Sequence, residues 1–380
     1  MGLLSTYMPS TNIVFRPRSN MNTSPEEAHL NQVEEGKDEA IGYAMQLALG
    51  SVLPMTMKAA IELGVFEIIA REGSGAKLSA SDIAANIPTQ NPDAPFMLDR
   101  ILRLLASHRV LSCTSVDGLT RFYGLTPVAQ YFISNQDGGS LCPFTDFVQG
   151  KVLLDSWFEL KNAIVIGGIP FNRAHGRHIF EHTALDPRFN QIFNSAMFNY
   201  TILVVKSILE SYKGFEHLKQ LVDVGGGLGH TIHAITSKYP HIKGINFDLP
   251  HVIEEAPIYP GVEYVRGDMF QSVPNGEAIL LKWILYNWSD DQCLKLLKNC
   301  YKAIPENGKV IVIEVMLPVV AETSATEKWM AQLDVILMTQ TPRGKERTKQ
   351  EFLALATRAG FLGIDFKCFV CNHWIMEFYR

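Results

Sequence analysis

The sequence has no long run of lysines and arginines, charged residues make up only 19% of it, and its net charge is -5. Nucleic-acid binding requires a basic footprint that this chain does not carry. No apolar stretch reads as long enough to span a bilayer, so neither a membrane nor a nucleic acid is expected as a partner. Cysteine is sparse, with six thiols at 113, 142, 293, 300, 368 and 371 in 380 residues. They are too scattered for a disulfide framework, which points to a reducing compartment and a cytoplasmic protein. Cys368 and Cys371 form the only close pair, beside His373. With no second pair at matching spacing, no metal is expected there or near any strand end, and FKCFVCNHWIMEFYR reads as a pair of core strands. The first 25 residues hold no acid but several Ser and Thr, plus Arg16 and Arg18, a weak likeness to a transit peptide. Met1-Gly2-Leu3-Leu4-Ser5-Thr6 also fits a myristoylation pattern that is often matched by chance, and residues 1–37 read as a disordered extension.

What is present is apolar: 47% of the residues are hydrophobic, enough for a large core and two domains. Residues 38–139 carry helical periodicity in AIGYAMQLALGSVLPMTMKAAIELGVFEIIA and APFMLDRILRLLASHRVL, with a Ser-capped short helix at LSASDIAANI between them. Two short strands follow around Asp117-Gly118, completing a winged-helix-like pattern. Its second helix has few basic residues, so a dimerisation role is expected rather than DNA reading. Residues 140–212 read as a helical connector rich in aromatics. Phe189, Phe193, Met197 and Tyr200 recur at spacings of 4, 4 and 3, one helix face that is either core or the wall of a flat aromatic pocket.

From residue 213 to 380 short apolar runs alternate with helical patterns: QLVDVGGG, KGINFDLP, VEYVRGDMF, AILLKWIL and KVIVIEVMLP. This predicts an α/β, Rossmann-like domain with a mostly parallel sheet covered on both faces and ligands at the carboxyl ends of its strands. Gly225, Gly226, Gly227 and Gly229 form a turn that lets backbone approach a ligand and leaves free N–H groups at a helix start. The dinucleotide pattern would place a third glycine at His230, and the next strand ends in Asp248, 19 residues after Gly229. That acid suits the two hydroxyls of a ribose. The third strand ends at Asp268 and Met269, an acceptor for an adenine amino group and a side chain to pack on the ring. Glycine turn, ribose acid and adenine acid at three successive strand ends fit S-adenosylmethionine better than NAD, with S-adenosylhomocysteine as the product.

These motifs carry a resemblance. LVDVGGGLGHTIHAITSKYP, INFDLPHVI, GDMF, LKWILYNWSDDQC, GKVIVIEVMLP and GKERTKQEF are similar, in order and spacing, to the plant caffeic acid type O-methyltransferases. The likeness runs through SWFELKNAI, GGIPFNRAHG and DPRFNQIFN back to about residue 40. At YPHIKGINFDLPHV and PENGKVIV the wording resembles the anthranilate N-methyltransferases of the rue and citrus family. The resemblance implies a class I methyltransferase fold, a homodimer, and a small aromatic acceptor. It also implies a cofactor held by Gly225, Gly227, Asp248, Leu249, Asp268, Met269 and Lys282. Phe147, Leu153, Phe189, Phe193, Met197, Ile336 and Leu337 would surround the acceptor, with Tyr200 on the same helix face.

One stretch departs from the family. Where its members read LKWILHDWSD, with a histidine that takes the acceptor's proton, this chain has Tyr286 and Asn287. The flanking acids match at Glu314 and Glu346, while Thr341 replaces an asparagine often found near the acceptor and Thr183 another polar residue. Tyrosine, with a pKa of about 10, is a poor base at neutral pH, and losing a general base costs on the order of 10²- to 10⁴-fold. Several readings stay open. The acceptor is a nitrogen, whose lone pair attacks before a proton leaves; or it is an unusually acidic hydroxyl; or Glu314 is the base. Alternatively the pocket cyclises, eliminates or isomerises its substrate, or the chain is a silent homologue.

Overall fold

The computed structural model describes residues 25–380, with side chains from residue 36 onward. The transit-like and myristoylation patterns therefore lie outside the described residues. A helix runs from Pro25 to Ala48, so part of the stretch read as a disordered extension is helical. The chain divides into two units, one ending at Pro54 and one running from Met55 to Arg380. In the first, Ile41, Tyr43, Met45 and Leu47 are exposed although apolar.

In the second unit the helix Val65–Arg71 leads into a small sheet of β1 (Lys77–Ser79), β2 (Leu111–Ser115) and β3 (Arg121–Leu125), all antiparallel in the order β1-β3-β2. Ser79 and Asp82 close a capping box that starts the helix Ala80–Ala85, and Asp117 accepts the N–H groups of Leu119 and Thr120 to turn β2 into β3. Helix, helix and hairpin thus take the winged-helix-like arrangement read from the sequence. A connector of short helices and the long helix Pro187–Ser211 follows. That helix has the length and apolar composition of a membrane-spanning segment, contrary to the sequence reading. Its apolar side chains are not lipid-facing stock: Val204, Val205, Ile208 and Leu209 are buried against the main sheet.

The main sheet has seven strands: β4 (Gln220–Val224), β5 (Lys243–Asp248), β6 (Val262–Arg266), β7 (Ala278–Lys282), β8 (Lys309–Glu314), β11 (Gly363–Val370) and β12 (His373–Tyr379), with β9 (Met316–Leu317) and β10 (Arg347–Thr348) paired separately. The order is β11-β12-β8-β7-β4-β5-β6, parallel from β8 to β6, with the closing hairpin antiparallel on one side. Alternation along each strand sends side chains to opposite faces. Val222, Ile279, Leu281 and Val312 meet Cys293, Leu296, Cys300, Phe352 and Leu355 from the helices Asp290–Ala303 and Lys349–Ala359. Leu221, Leu280, Ile311 and Ile313 meet the long helix and Ile232 and Ile235 of the helix His230–Lys238. Both faces are covered, so both sets of alternate residues are apolar. The chain leaves β4 in one direction for β5 and later returns on the other flank as β7. The crevice at this switch, beyond the carboxyl ends, is where such sheets bind ligands.

Candidate active site

At the end of β4 three glycines take left-handed backbone, with φ of 68° at Gly225, 59° at Gly227 and 84° at Gly229, a region closed to most side chains. Gly226 is required for a different reason: a Cβ there would collide with Asn246 Oδ1 and lie 2.8 Å from Asp223 Oδ2. The Gly227 N–H donates to Asp248 Oδ2 at 2.8 Å, and the Leu249 N–H to Asp248 Oδ1 at 2.7 Å. Burial holds the Asp248 carboxyl above its ordinary value, opposed by those two N–H groups. Asp268 accepts the Phe270 N–H at 2.8 Å, and the Met269 carbonyl takes the amide of Asn299 at 2.9 Å, so both residues sit on a tied turn. A cavity of about 430 Å³ opens beside the glycine turn, between Asn190, Asn194 and Phe198 on the long helix and Leu228 and His230 on the turn.

Lys282, at the end of β7, donates to Thr201 Oγ1 at 3.1 Å and lies 3.4 Å from the centre of the Trp283 ring. Its partner in charge is Asp223, a residue the sequence reading left out. Burial drives the Lys282 ammonium down and the Asp223 carboxyl up, and each resists the other's shift. Asp223 Oδ2 has no hydrogen-bond partner among the described residues. A buried charge pair with an orphaned oxygen costs free energy unless a further donor completes it.

After Lys282 the chain kinks. Trp283 has φ of 59°, unusual for a bulky side chain and the kind of strain that collects at functional turns. A single turn at Leu285–Asn287 then carries Tyr286. The turn is pinned from two sides. Glu314 Oε1 accepts the N–H groups of Ile284 at 2.8 Å and Leu285 at 2.7 Å. Arg347, fully buried, donates to the carbonyls of Leu285 at 2.7 Å and Trp288 at 2.8 Å and grips Asp290 with two nitrogens. Gly344 lets the same loop close in, since a Cβ there would sit 2.6 Å from the Tyr286 carbonyl oxygen. The Asn287 amide donates to the Trp283 carbonyl at 3.2 Å.

Tyr286 stands among acids. Burial, then the charges of Glu314 and Glu346, push its phenol well above the ordinary value. Burial also pushes the Glu314 carboxyl up to about 7, against its two backbone donors, and Glu346 well up, with Glu314 adding to the effect. Glu314 Oε2 and both oxygens of Glu346 are buried without a hydrogen-bond partner among the described residues. Two neighbouring buried carboxyls resist holding two negative charges, so the pair retains a proton well above the usual carboxylate range.

The residues expected around the acceptor divide into groups. Phe147, Leu153 and Phe189 are buried in one cluster, with Phe193 and Met197 packed on it. The Phe147 ring lies 5.8 Å from Phe189 and 5.5 Å from Phe193. Phe180 stacks at 6.3 Å on Trp288, tying this cluster to the Tyr286 turn. Leu337 is buried and Ile336 half-buried on the helix Ala325–Gln340, which packs on the helices Lys151–Phe158 and Pro170–His175. Tyr200 bridges two clusters: its ring stacks on Trp283 at 4.5 Å on the sheet side and lies 5.5 Å from Phe144, which packs on the aromatic cluster. Thr341 is buried with its hydroxyl donated to the Leu337 carbonyl, and Thr183 likewise bonds the Phe180 carbonyl. Both replacements satisfy their own polar group locally. None of the residues expected around the acceptor lines the 430 Å³ cavity, because they pack on one another and on the Tyr286 turn.

The comparisons agree with this architecture. A model of the O-methyltransferase domain matches residues 157–362, and one of the O-methyltransferase dimerisation domain matches residues 45–135. Anthranilate N-methyltransferase of Ruta graveolens is 55% identical over 354 residues, covering 93% of this chain and 97% of that one. Caffeic acid 3-O-methyltransferase 1 of Populus kitakamiensis is 54% identical over 356 residues, covering 93% and 98%. Among solved structures, human N-acetylserotonin methyltransferase in complex with SAM superposes with a TM-score of 0.74 at 21% identity, over 90% of this chain and 97% of that one. The motifs and the glycine turn pointed to one family, and the matched domains and relatives over nine-tenths of the chain agree: this protein belongs to the O-methyltransferase family.

Proposed function

We propose that the protein transfers a methyl group from S-adenosylmethionine to a heteroatom of a small aromatic plant metabolite, nitrogen being favoured over oxygen. The observation that carries the preference is Tyr286, a phenol already protonated at neutral pH and pushed further from ionising by desolvation and the two neighbouring carboxyls, so that it cannot serve as a base. Bound, the cofactor supplies an electrophilic methyl on a sulfonium. The residues at the strand ends suit it. Gly226 leaves no room for a side chain where backbone must approach, Asp248 presents a carboxyl for the ribose, and Asp268 and Met269 stand at the next strand end for the adenine. Gly225, Gly227, Leu249 and Lys282 complete that half, and the orphaned Asp223 oxygen suits an ammonium donor. Phe147, Leu153, Phe189, Phe193, Met197, Ile336, Leu337 and Thr341 are assigned to the acceptor side. An amine lone pair attacks while still bonded to its hydrogens, so the proton leaves afterwards and no strong base is needed; Tyr286 orients the acceptor by shape and hydrogen bonding.

A second reading rests on Glu314. With its carboxyl raised to about 7 and Oε2 unpartnered, it can take the proton of a phenolic acceptor that reaches it. Methylation of such an acceptor would rise with pH through about 7, where the carboxyl ionises. The paired relatives, one naming an N- and the other an O-methyltransferase, support methyl transfer without choosing between the two atoms.

The dimerisation-domain match and the exposed Ile41, Tyr43, Met45 and Leu47 support a homodimer, and six unpaired thiols support a reducing, cytoplasmic setting. The test is mass spectrometry of reactions with S-adenosylmethionine and a panel of aromatic amines, phenols and aryl carboxylates. An N-methylated product with equimolar S-adenosylhomocysteine is the expected result. An O-methylated product alone would replace the nitrogen preference, and conversion of a substrate without S-adenosylhomocysteine would overturn methyl transfer itself.

A further inference from the structure

His373 opens β12 and is 1% exposed. Its ring is enclosed by Trp283 at 5.4 Å, Trp329 at 5.9 Å and Tyr200 at 5.9 Å. Nδ1 lies 2.6 Å from the Cys371 carbonyl oxygen, which can only accept, so Nδ1 carries the proton. In the neutral ring Nε2 is then bare, and the group facing it is the Tyr200 hydroxyl at 3.4 Å. That contact runs one way: the phenol donates and the imidazole accepts. The tyrosine oxygen thereby has its proton committed and its lone pairs free.

Those lone pairs belong to a residue at the junction of the two halves of the site. The Tyr200 ring is stacked on Trp283, next to Lys282, and lies 5.5 Å from Phe144, which packs on the aromatic cluster of Phe147, Phe189 and Phe193. It is near enough to Tyr286 and Glu346 for their charges to act on it. We propose that Tyr200 and His373 form a dyad in which the imidazole fixes the phenol as a hydrogen-bond acceptor, aimed at the N–H or O–H of the heteroatom to be methylated. Tyr200 is thus a positioning residue for the reacting atom, and His373 positions Tyr200. The inference rests on the methyl-transfer reading above.

The dyad does not take the proton. The groups facing it are Lys282 towards His373, and Glu346, Tyr286 and Cys371 towards Tyr200. Burial and then the Lys282 charge hold the imidazole down to about 4, against the Cys371 carbonyl, while burial raises the Tyr200 phenol. Both rings are neutral across physiological pH, so the effect is geometric: an acceptor that offers a hydrogen is turned with its lone pair towards the methyl donor, and one already lacking that hydrogen loses the contact.

Two measurements test this on the full-length protein. Nitrogen NMR of ¹⁵N-histidine-labelled enzyme without ligands should show His373 protonated at Nδ1 and bare at Nε2 from pH 6 to 9, with the Nε2 resonance moving in Tyr200→Phe. Protonation at Nε2, or no response to Tyr200→Phe, overturns the dyad. On an acceptor the enzyme methylates, Tyr200→Phe and His373→Phe should each lower kcat by about tenfold with KM changed less than about twofold, the size of one neutral hydrogen bond. The double variant should be no slower than the slower single one, because the two act as a unit. Multiplying losses, or kcat unchanged in both, reject the proposal. If no acceptor on the panel is methylated, the function reading fails, and the NMR result still decides the dyad.

Discussion

The half of the site assigned to the cofactor is made largely of backbone, and the half assigned to the acceptor largely of side chains. On the first side, glycines with left-handed φ, N–H groups offered to Asp248, and a turn tied by Asp268 set the shape. Changing a side chain there disturbs the path of the chain itself. On the second side, the main chain around residues 284–290 is fixed by Glu314 and Arg347. What the acceptor would meet, on the function proposed, is the identity of Tyr286, Tyr200, Thr341 and the phenylalanines. The lesson is that one half is hard to alter without losing the ligand, whereas the other can change its chemistry residue by residue.

Three changes would break or sharpen that contrast. Tyr286→His combined with Asn287→Asp should leave cofactor affinity within about twofold and raise methylation of a phenol by on the order of 10²- to 10⁴-fold, the usual worth of a general base. Steady-state rates on amine and phenol pairs check it; loss of the native activity without that gain would give Tyr286 a positive role instead. Gly226→Ala should do the opposite. Overpacking against Asn246 and Asp223 costs about 1–3 kcal/mol, so S-adenosylmethionine affinity by calorimetry should weaken up to about 100-fold while acceptor preference is unchanged. Glu314→Gln tests the acid corner. The native carboxyl rises from an unfolded value of about 4.3 to about 7, so the folded state keeps a proton that the unfolded chain releases between those values. Stability from this group is full below about pH 4 and is lost as pH rises through about 7. The glutamine variant, which cannot ionise, should therefore gain on the native protein by on the order of 1–3 kcal/mol, and urea midpoints at pH 5 and pH 8 should show the gain growing with pH.

The sheet was legible because its strands are short apolar runs closed by glycines and acids, and the residues proposed for the cofactor stand at the ends of those runs. The acceptor half was legible only in part. Arg347 reads along the chain as one more surface charge in GKERT, yet it is wholly buried, and only the open carbonyls of a distant turn explain why. Asp223 looked like a strand residue before the glycines; its charge has meaning only beside Lys282, which the neighbouring strand brings to it. His373 was weighed against two nearby cysteines, and the partner that matters is a tyrosine 173 positions away. Tyr200 touches the aromatic cluster at Phe144 and also stacks on Trp283, a second neighbour that helix spacing does not show, since spacing says nothing of where along a helix the packing changes hands. The long helix itself looked too short on apolar residues in the sequence for a span, and proved to have a spanning composition because it is a core helix shared by a sheet and an aromatic cluster.

Arg347 spends its hydrogen bonds on the carbonyls of Leu285 and Trp288 and on Asp290, and none on residue 286. Position 286 is in effect a socket. Its backbone is held from outside whatever side chain it bears, so a lineage can exchange the group presented to the substrate in a single codon without first rebuilding the loop, and can test a new reaction while the fold still stands.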